Sequence, residues 1–129
     1  MKGPNHDLGG VFHSAAKRRA NAVVTIRSLL LLRFTKQITD LAIKNWLPSV
    51  FDTVQFVKVG GVIAYSANEA EAFRRAAVYV DKILKGAKPA ELPTELPTKF
   101  ELFINLKTAK LIGVTIPPTV LYQADKVIK

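Results

Sequence analysis

Cysteine is absent from the 129 residues, which excludes disulfides and thiolate metal sites and leaves the redox compartment unmarked. Histidine is almost absent. His6 and His13 stand seven apart with no glutamate placed to ligate beside them, so neither a zinc motif nor a Ser-His-Asp set can be assembled. There is no phosphate loop, because "GPNHDLGG" and "KVGG" lack both its glycine spacing and its closing Lys-Ser/Thr pair. Long apolar runs are missing too: the longest, Leu29 to Leu32, falls far short of the about 20 residues that cross a bilayer. The opening "MKGPNHDLGG" carries one lysine with no apolar stretch behind it, unlike a secretory signal. Internal repeats and low-complexity tracts do not occur. These absences argue against an enzyme and imply no cofactor and no metal.

Acidic residues are scarce. Ten Asp+Glu face 19 Lys+Arg for a net charge of +9, and residues 1–59 hold 9 Lys+Arg against 3 Asp+Glu. A basic balance of this kind suits nucleic acid, an anionic surface or plain solvation. The phosphate-binding reading would use Lys17, Arg18 and Arg19, extended by Arg27, Arg33 and Lys36. The alternative is a helix end facing water, its cations complementing the helix dipole. That alternative is adopted, because no nucleic-acid module accompanies the cluster, and nucleic acid is not an expected partner.

What is present is an ordinary globular composition, 49% hydrophobic and 22% charged, in a chain about one domain long. Leu8, Val11, Phe12 and Ala15 follow helical spacing and predict a helix over 8–19. "NAVVTI" predicts a buried parallel strand at 22–26. Phe34, Ile38, Leu41 and Ala42 share a helical face that Pro48 should terminate. "PSVF" reads as a short strand, the stretch holding Asp52 and Gln55 as a polar connection, and Val62 to Tyr65 as another strand. In "SANEAEAFRRAAVYVDKILKG", Ser66 and Glu69 predict a capping box, Phe73, Ala76, Ala77, Val80 and Leu84 an apolar stripe, and Gly86 a left-handed stop. Prolines at 89, 93 and 97 hold 87–98 near extended geometry, so that it serves as a strut reaching roughly 35 Å. Phe100 to Asn105 alternates as a strand. Asn105 caps a short helix through Leu111, and Pro118 opens a last helix through Val127. The order predicts an α/β fold with a mostly parallel sheet and flanking helices.

The stretch "FRRAAVYVDKILKGAKPAELPTELPTKFELFINLKTAKLIGVTIPP", together with "GGVIAYSANEAE", "LAIKNWLPSVF" and "MKGPNHDLGGVF", resembles the carboxy-terminal part of the ABC transporter substrate-binding protein family, some of whose members are associated with aromatic amino acids. The resemblance implies a type I periplasmic-binding-protein fold, with two α/β lobes closing on a small ligand. It implies that residues 1–59 and 98–129 form the second-lobe body. Residues 60–97 would then supply a crossover strand, a first-lobe helix and a return strut. It further implies binding of a small polar solute, an amino-acid-like one among the candidates, with a membrane permease and its ATPase as partners, outside the cytoplasm. Lacking an export signal, a chain starting at Met1 is expected to stay in the cytoplasm, as a truncated or remnant product whose exposed helix 66–85 pairs copies into a homo-oligomer. A basic module binding nucleic acid or another subunit is the alternative.

Ligands of open α/β sheets bind beyond the carboxyl ends of the strands, and the three ends visible here match the family's cleft loops. Ser28, Asp52 and Ser66 are thus candidates to hydrogen-bond a polar ligand, Phe51 and Tyr65 to flank it, and Arg27 to meet a carboxylate. The competing reading makes Ser66 a cap, Phe51 and Tyr65 core, and Arg27 and Asp52 solvated. The first loop, "RSLLLLRF", departs from the proline and small polar residues usual in the family.

Overall fold

The computed structural model describes residues 7–129; His6 and the start of "MKGPNHDLGGVF" lie outside them. Five strands form one sheet in the order β1-β2-β3-β4-β5. They are β1 (Val23–Val24), β2 (Ser49–Phe51), β3 (Ile63–Ala67), β4 (Phe100–Asn105) and β5 (Lys126–Ile128). The pairs β1–β2, β2–β3 and β4–β5 are parallel, while β3–β4 is antiparallel. The expected mostly parallel α/β sheet is therefore present.

The helix α1 (Leu8–Lys17) begins where the Asp7 carboxylate accepts from the Gly10 amide at 2.8 Å. It buries Phe12 and stops short of the expected residue 19, because Arg19 turns left-handed at φ 56°. β1 is shorter than expected and is an edge, with Val24 70% exposed, so its β-branched run reflects strand geometry more than burial. A short turn, α2 (Leu29–Leu32), then precedes α3 (Thr35–Lys44), which turns Ile38, Thr39 and Ala42 inward.

α3 ends before Pro48 can act. The Trp46 amide donates to Ile43 O (3.0 Å) and the Leu47 amide to Ala42 O (2.9 Å), with Trp46 left-handed at φ 56°. This is the double hydrogen bond of a Schellman stop, at a position that glycine fills without strain. Trp46 is 66% exposed and returns little burial there. Trp46→Gly is expected to raise stability by up to about 1 kcal/mol in urea melts, since the left-handed conformation costs an L-residue about 1–2 kcal/mol.

The supposed polar connection after β2 contains a helix, α4 (Val54–Lys58), that buries Phe56 and Val57. At five residues it is too short for its periodicity to register. Phe56 stacks on Phe51 with ring centroids 4.2 Å apart and planes 5° from parallel. Gly61 lies against this pair: a Cβ there would sit 2.6 Å from Phe51 Cε2 and 2.9 Å from Phe56 O. Gly61→Ala is expected to cost about 1–3 kcal/mol by overpacking, read as a lower denaturation midpoint.

The long helix α5 (Glu69–Leu84) departs from its expected start. Ser66 stays in β3, paired with Glu101, and the cap is Asn68, whose side-chain oxygen accepts from the Glu71 amide at 2.8 Å. The far end is as read, with Gly86 left-handed at φ 101°. From there 87–98 makes one 3-10 turn (Pro89–Glu91) and runs back along α5. Tyr79 OH donates to Pro93 O (2.7 Å) and Arg75 pairs with Glu95 (2.6 Å). The return ends where the Asn68 amide donates to Lys99 O (2.9 Å). The strut thus spans its own helix, about 24 Å long at 1.5 Å per residue.

After β4, Asn105 caps α6 (Leu106–Leu111) as expected, accepting from the Thr108 amide at 3.0 Å. The last helix is shorter than predicted. α7 (Pro118–Tyr122) gives way to β5, which pairs Val127 with Ile104. β4 offers a free edge there, and tertiary pairing outweighs the local continuation of the helix.

Register sorts the core onto the two faces of the sheet. Phe51, Ala64 and Phe103 pack beneath α1, α3 and α4 with Phe12, Ile38, Phe56 and Val57. Ile63, Leu102 and Ile104 pack with Ala109, Ile112 and Ile116 on the other face. α5 contributes no buried residue to either. β3 is hydrogen-bonded on both sides within this body.

Candidate functional site

β1, β2 and β3 run the same way, so their carboxyl ends meet at one rim. β1 is followed there by Thr25, β2 by Asp52 and Thr53, and β3 by Asn68. A cavity of about 200 Å³ opens at this rim, lined by Thr53, Val54, Ser66, Ala67, Asn68, Glu69, Ala70 and Glu101. Its polar groups come from four separate elements. Ser66 and Glu101 are cross-strand partners, which places them on one face of the sheet. Asn68 joins them, donating from Nδ2 to Glu101 Oε1 at 2.6 Å while its oxygen caps α5.

Two side-chain atoms at this rim are buried without a hydrogen-bond partner among the described residues, Thr25 Oγ1 and Asp52 Oδ2. A buried acceptor left unpaired costs about 1–3 kcal/mol, so each such group calls for an explanation, of which an ordered water or a bound solute is one. Thr39 Oγ1 shares the condition but lies in the core beneath α3. Above the rim Arg27 forms an ion pair with Glu69, both half-exposed. This pair joins the end of β1 to the start of α5 and neutralises one of the two carboxylates lining the cavity.

The six residues singled out from sequence fare differently. Ser66 lines the cavity, whereas Asp52 is not part of its lining and follows β2 at the same rim with Oδ2 buried and unpaired. Arg27 sits over the rim, committed to Glu69 rather than free to meet a ligand carboxylate. Ser28 caps α2, accepting from the Leu30 amide at 3.3 Å. Phe51, expected to flank a ligand, is instead 1% exposed and stacked on Phe56 in the core. Tyr65 points to the opposite face from Ser66, as strand alternation requires, and stacks on Phe100 at 5.4 Å. Thr25, Thr53, Asn68, Glu69 and Glu101 were missed. Asn68 ahead of an acid-rich helix start was a readable cap signal. Glu101 was not readable, because its place depends on the β3–β4 register.

A larger groove of about 440 Å³ lies between α5 and its return segment, walled by Ala76, Tyr79, Ile83, Leu92 and Leu96 among others. It lies away from the strand ends and holds no unpaired buried polar atom. The extended basic patch is partly neutralised, with Arg27 paired to Glu69 and Lys36 to Asp40. Among the described residues no cluster of three metal-capable side chains occurs, and no helix is long and apolar enough to cross a membrane.

A small cavity lined by polar side chains at the carboxyl ends of parallel strands stands where open α/β sheets take their ligands. The sequence model described as ABC transporter substrate binding protein matches residues 5–128, and the chain belongs to that family. Among solved structures the chain is similar to a conserved domain protein from Vibrio cholerae, at 20% identity and a TM-score of 0.84, covering 92% of this chain and 40% of that one. It is similar to an ABC domain in complex with L-Trp from Streptococcus pneumonia, at 26% identity and a TM-score of 0.79, covering 93% and 41%. A third likeness is to the ligand-free, open structure of a substrate binding protein with adhesive properties from Clostridium difficile, at 15% identity and a TM-score of 0.66, covering 94% and 41%. The chain therefore spans about two-fifths of the length of these structures. A search of curated proteins finds no match.

Proposed function

We propose that this chain forms one wall of a solute-binding cleft in an ABC import system, and that its solute is a small amino-acid-like molecule, aromatic in side chain. The observation that carries the reading is the pair of buried, unpartnered oxygens on Thr25 and Asp52 at the rim where the strands end. A carboxylate acceptor and a hydroxyl at the ends of the neighbouring strands β1 and β2 suit an ammonium group, and Glu101 lines the cavity at the same rim. The L-Trp complex of the Streptococcus pneumonia domain supports the ligand class.

On the same reading a permease and its ATPase receive the solute, and the protein works outside the cytoplasm. Residues 1–59 and 98–129 then act as the second lobe, joined within the sheet by β3, while α5 and its return belong with a first lobe. Phe73 is 74% exposed, and Val80 and Leu84 share its stripe. A first-lobe surface would cover that stripe; in its absence copies of the chain pair through it. Titration calorimetry with L-tryptophan tests the reading. Saturable heat is expected, with a rise in thermal stability equivalent to roughly 2.7 kcal/mol at 100 times the dissociation constant. Neither heat nor stabilisation at saturating solute would overturn it.

A further inference from the structure

The pole of the sheet opposite the candidate site has a different chemistry. The start of β2 and the ends of β4 and β5 lie there, because β4 runs against β3 and β5 runs with β4. Two adjoining grooves share Leu111: one, of about 510 Å³, is ringed by Lys107, Lys110 and Lys129, and the other, of about 180 Å³, by Lys44 and Trp46. Neither is lined by an acidic side chain. Lys36, Lys85 and Lys88 each have a carboxylate partner, whereas Lys44, Lys107, Lys110 and Lys129 have none among the described residues. Between these cations Trp46 and Leu111 stand 66% and 60% exposed. The left-handed backbone at Trp46 aims a large indole outward from a position that glycine would fill more comfortably.

From this we infer that the pole formed by Trp46, Leu111 and the lysines at 44, 107, 110 and 129 is a docking surface for an anionic lipid bilayer. Cations alone would suit any polyanion. An exposed indole and leucine set among them need a partner that is charged at its surface and apolar just beneath. Tryptophan settles at the headgroup level of a membrane, and lysines lay their methylenes on apolar surface while their ammonium groups reach the phosphates. Each lysine near an anionic bilayer adds about fivefold to partitioning, so this group supplies reversible, salt-sensitive adhesion rather than insertion. Because the surface lies on the far side of the sheet from the strand-end cavity, it stands or falls independently of solute binding.

Trp46 is the single tryptophan, so its emission reports the contact directly. The full chain is mixed with vesicles of phosphatidylglycerol and phosphatidylcholine, or of phosphatidylcholine alone. A blue shift and co-sedimentation with the anionic vesicles only, lost near 1 M salt where the Debye length is about 3 Å, are the expected results. The double variant Lys107→Glu and Lys110→Glu, at two exposed positions on α6, should keep its circular dichroism and lose at least about 30-fold in partitioning. No shift with anionic vesicles at low salt would overturn the inference. So would equal binding to phosphatidylcholine, or tighter binding to nucleic acid than to the vesicles at the same salt.

Discussion

Replacing Phe51 with alanine is expected to lower stability by about 3–5 kcal/mol, the usual cost of truncating a fully buried aromatic side chain. Phe51 is 1% exposed, stacks on Phe56, and has Gly61 packed against its ring. Its ring is held between the Gly61 backbone and the Phe56 ring, which limits how far the core can relax into the space left. A domain of this kind holds about 5–15 kcal/mol in total, so the variant should lose roughly a fifth or more of it, seen as a lower urea midpoint at unchanged slope. Tyr65, 56% exposed at the neighbouring strand end, provides the contrast: its truncation should cost far less. Had Phe51 lined the cleft, as one reading of the sequence allowed, the same substitution would weaken solute binding and leave the midpoint near its original value.

Asp52→Ala should move stability and binding in opposite directions. Asp52 Oδ2 is buried without a hydrogen-bond partner among the described residues, and removing an unsatisfied acceptor removes its desolvation penalty of about 1–3 kcal/mol, less the packing lost with the side chain. Stability should hold or rise by about 1 kcal/mol. Solute affinity should fall about 10- to 100-fold, since a hydrogen bond to a charged group contributes about 1.5–3 kcal/mol and each 1.4 kcal/mol is tenfold. Denaturation and calorimetry on the same samples check both. A variant that is less stable and binds as before would mean that Asp52 serves the fold.

The elements most legible in the sequence were those whose local signals agreed. The body of α5, its Gly86 stop, the Asn105 cap and the alternation of β4 all lie as read. The parts that were not legible depend on partners distant in sequence. β5 forms because β4 has a free edge, and the capping role passes from Ser66 to Asn68 because β4 holds Ser66 in the sheet opposite Glu101. The site divides along the same line. Asp52 and Ser66 follow from the rule that ligands gather at strand ends, whereas Glu101 reaches the rim only through antiparallel register. Phe51 shows why proximity to a strand end is insufficient: it shares a sheet face with Ser66 but is covered there by Phe56 and Gly61. The apolar stripe of α5 was legible as a face that asks for cover, whereas its exposure was expected only from the family resemblance; Phe73, Val80 and Leu84 are exposed here.

Amide chemical-shift mapping during a titration with free aromatic amino acids tests the central claim most directly. The account predicts saturable shifts concentrated at Thr25, Asp52, Thr53, Ser66 and Asn68. Unmoved resonances at saturating solute, or shifts confined to the groove between α5 and residues 87–98, would contradict it.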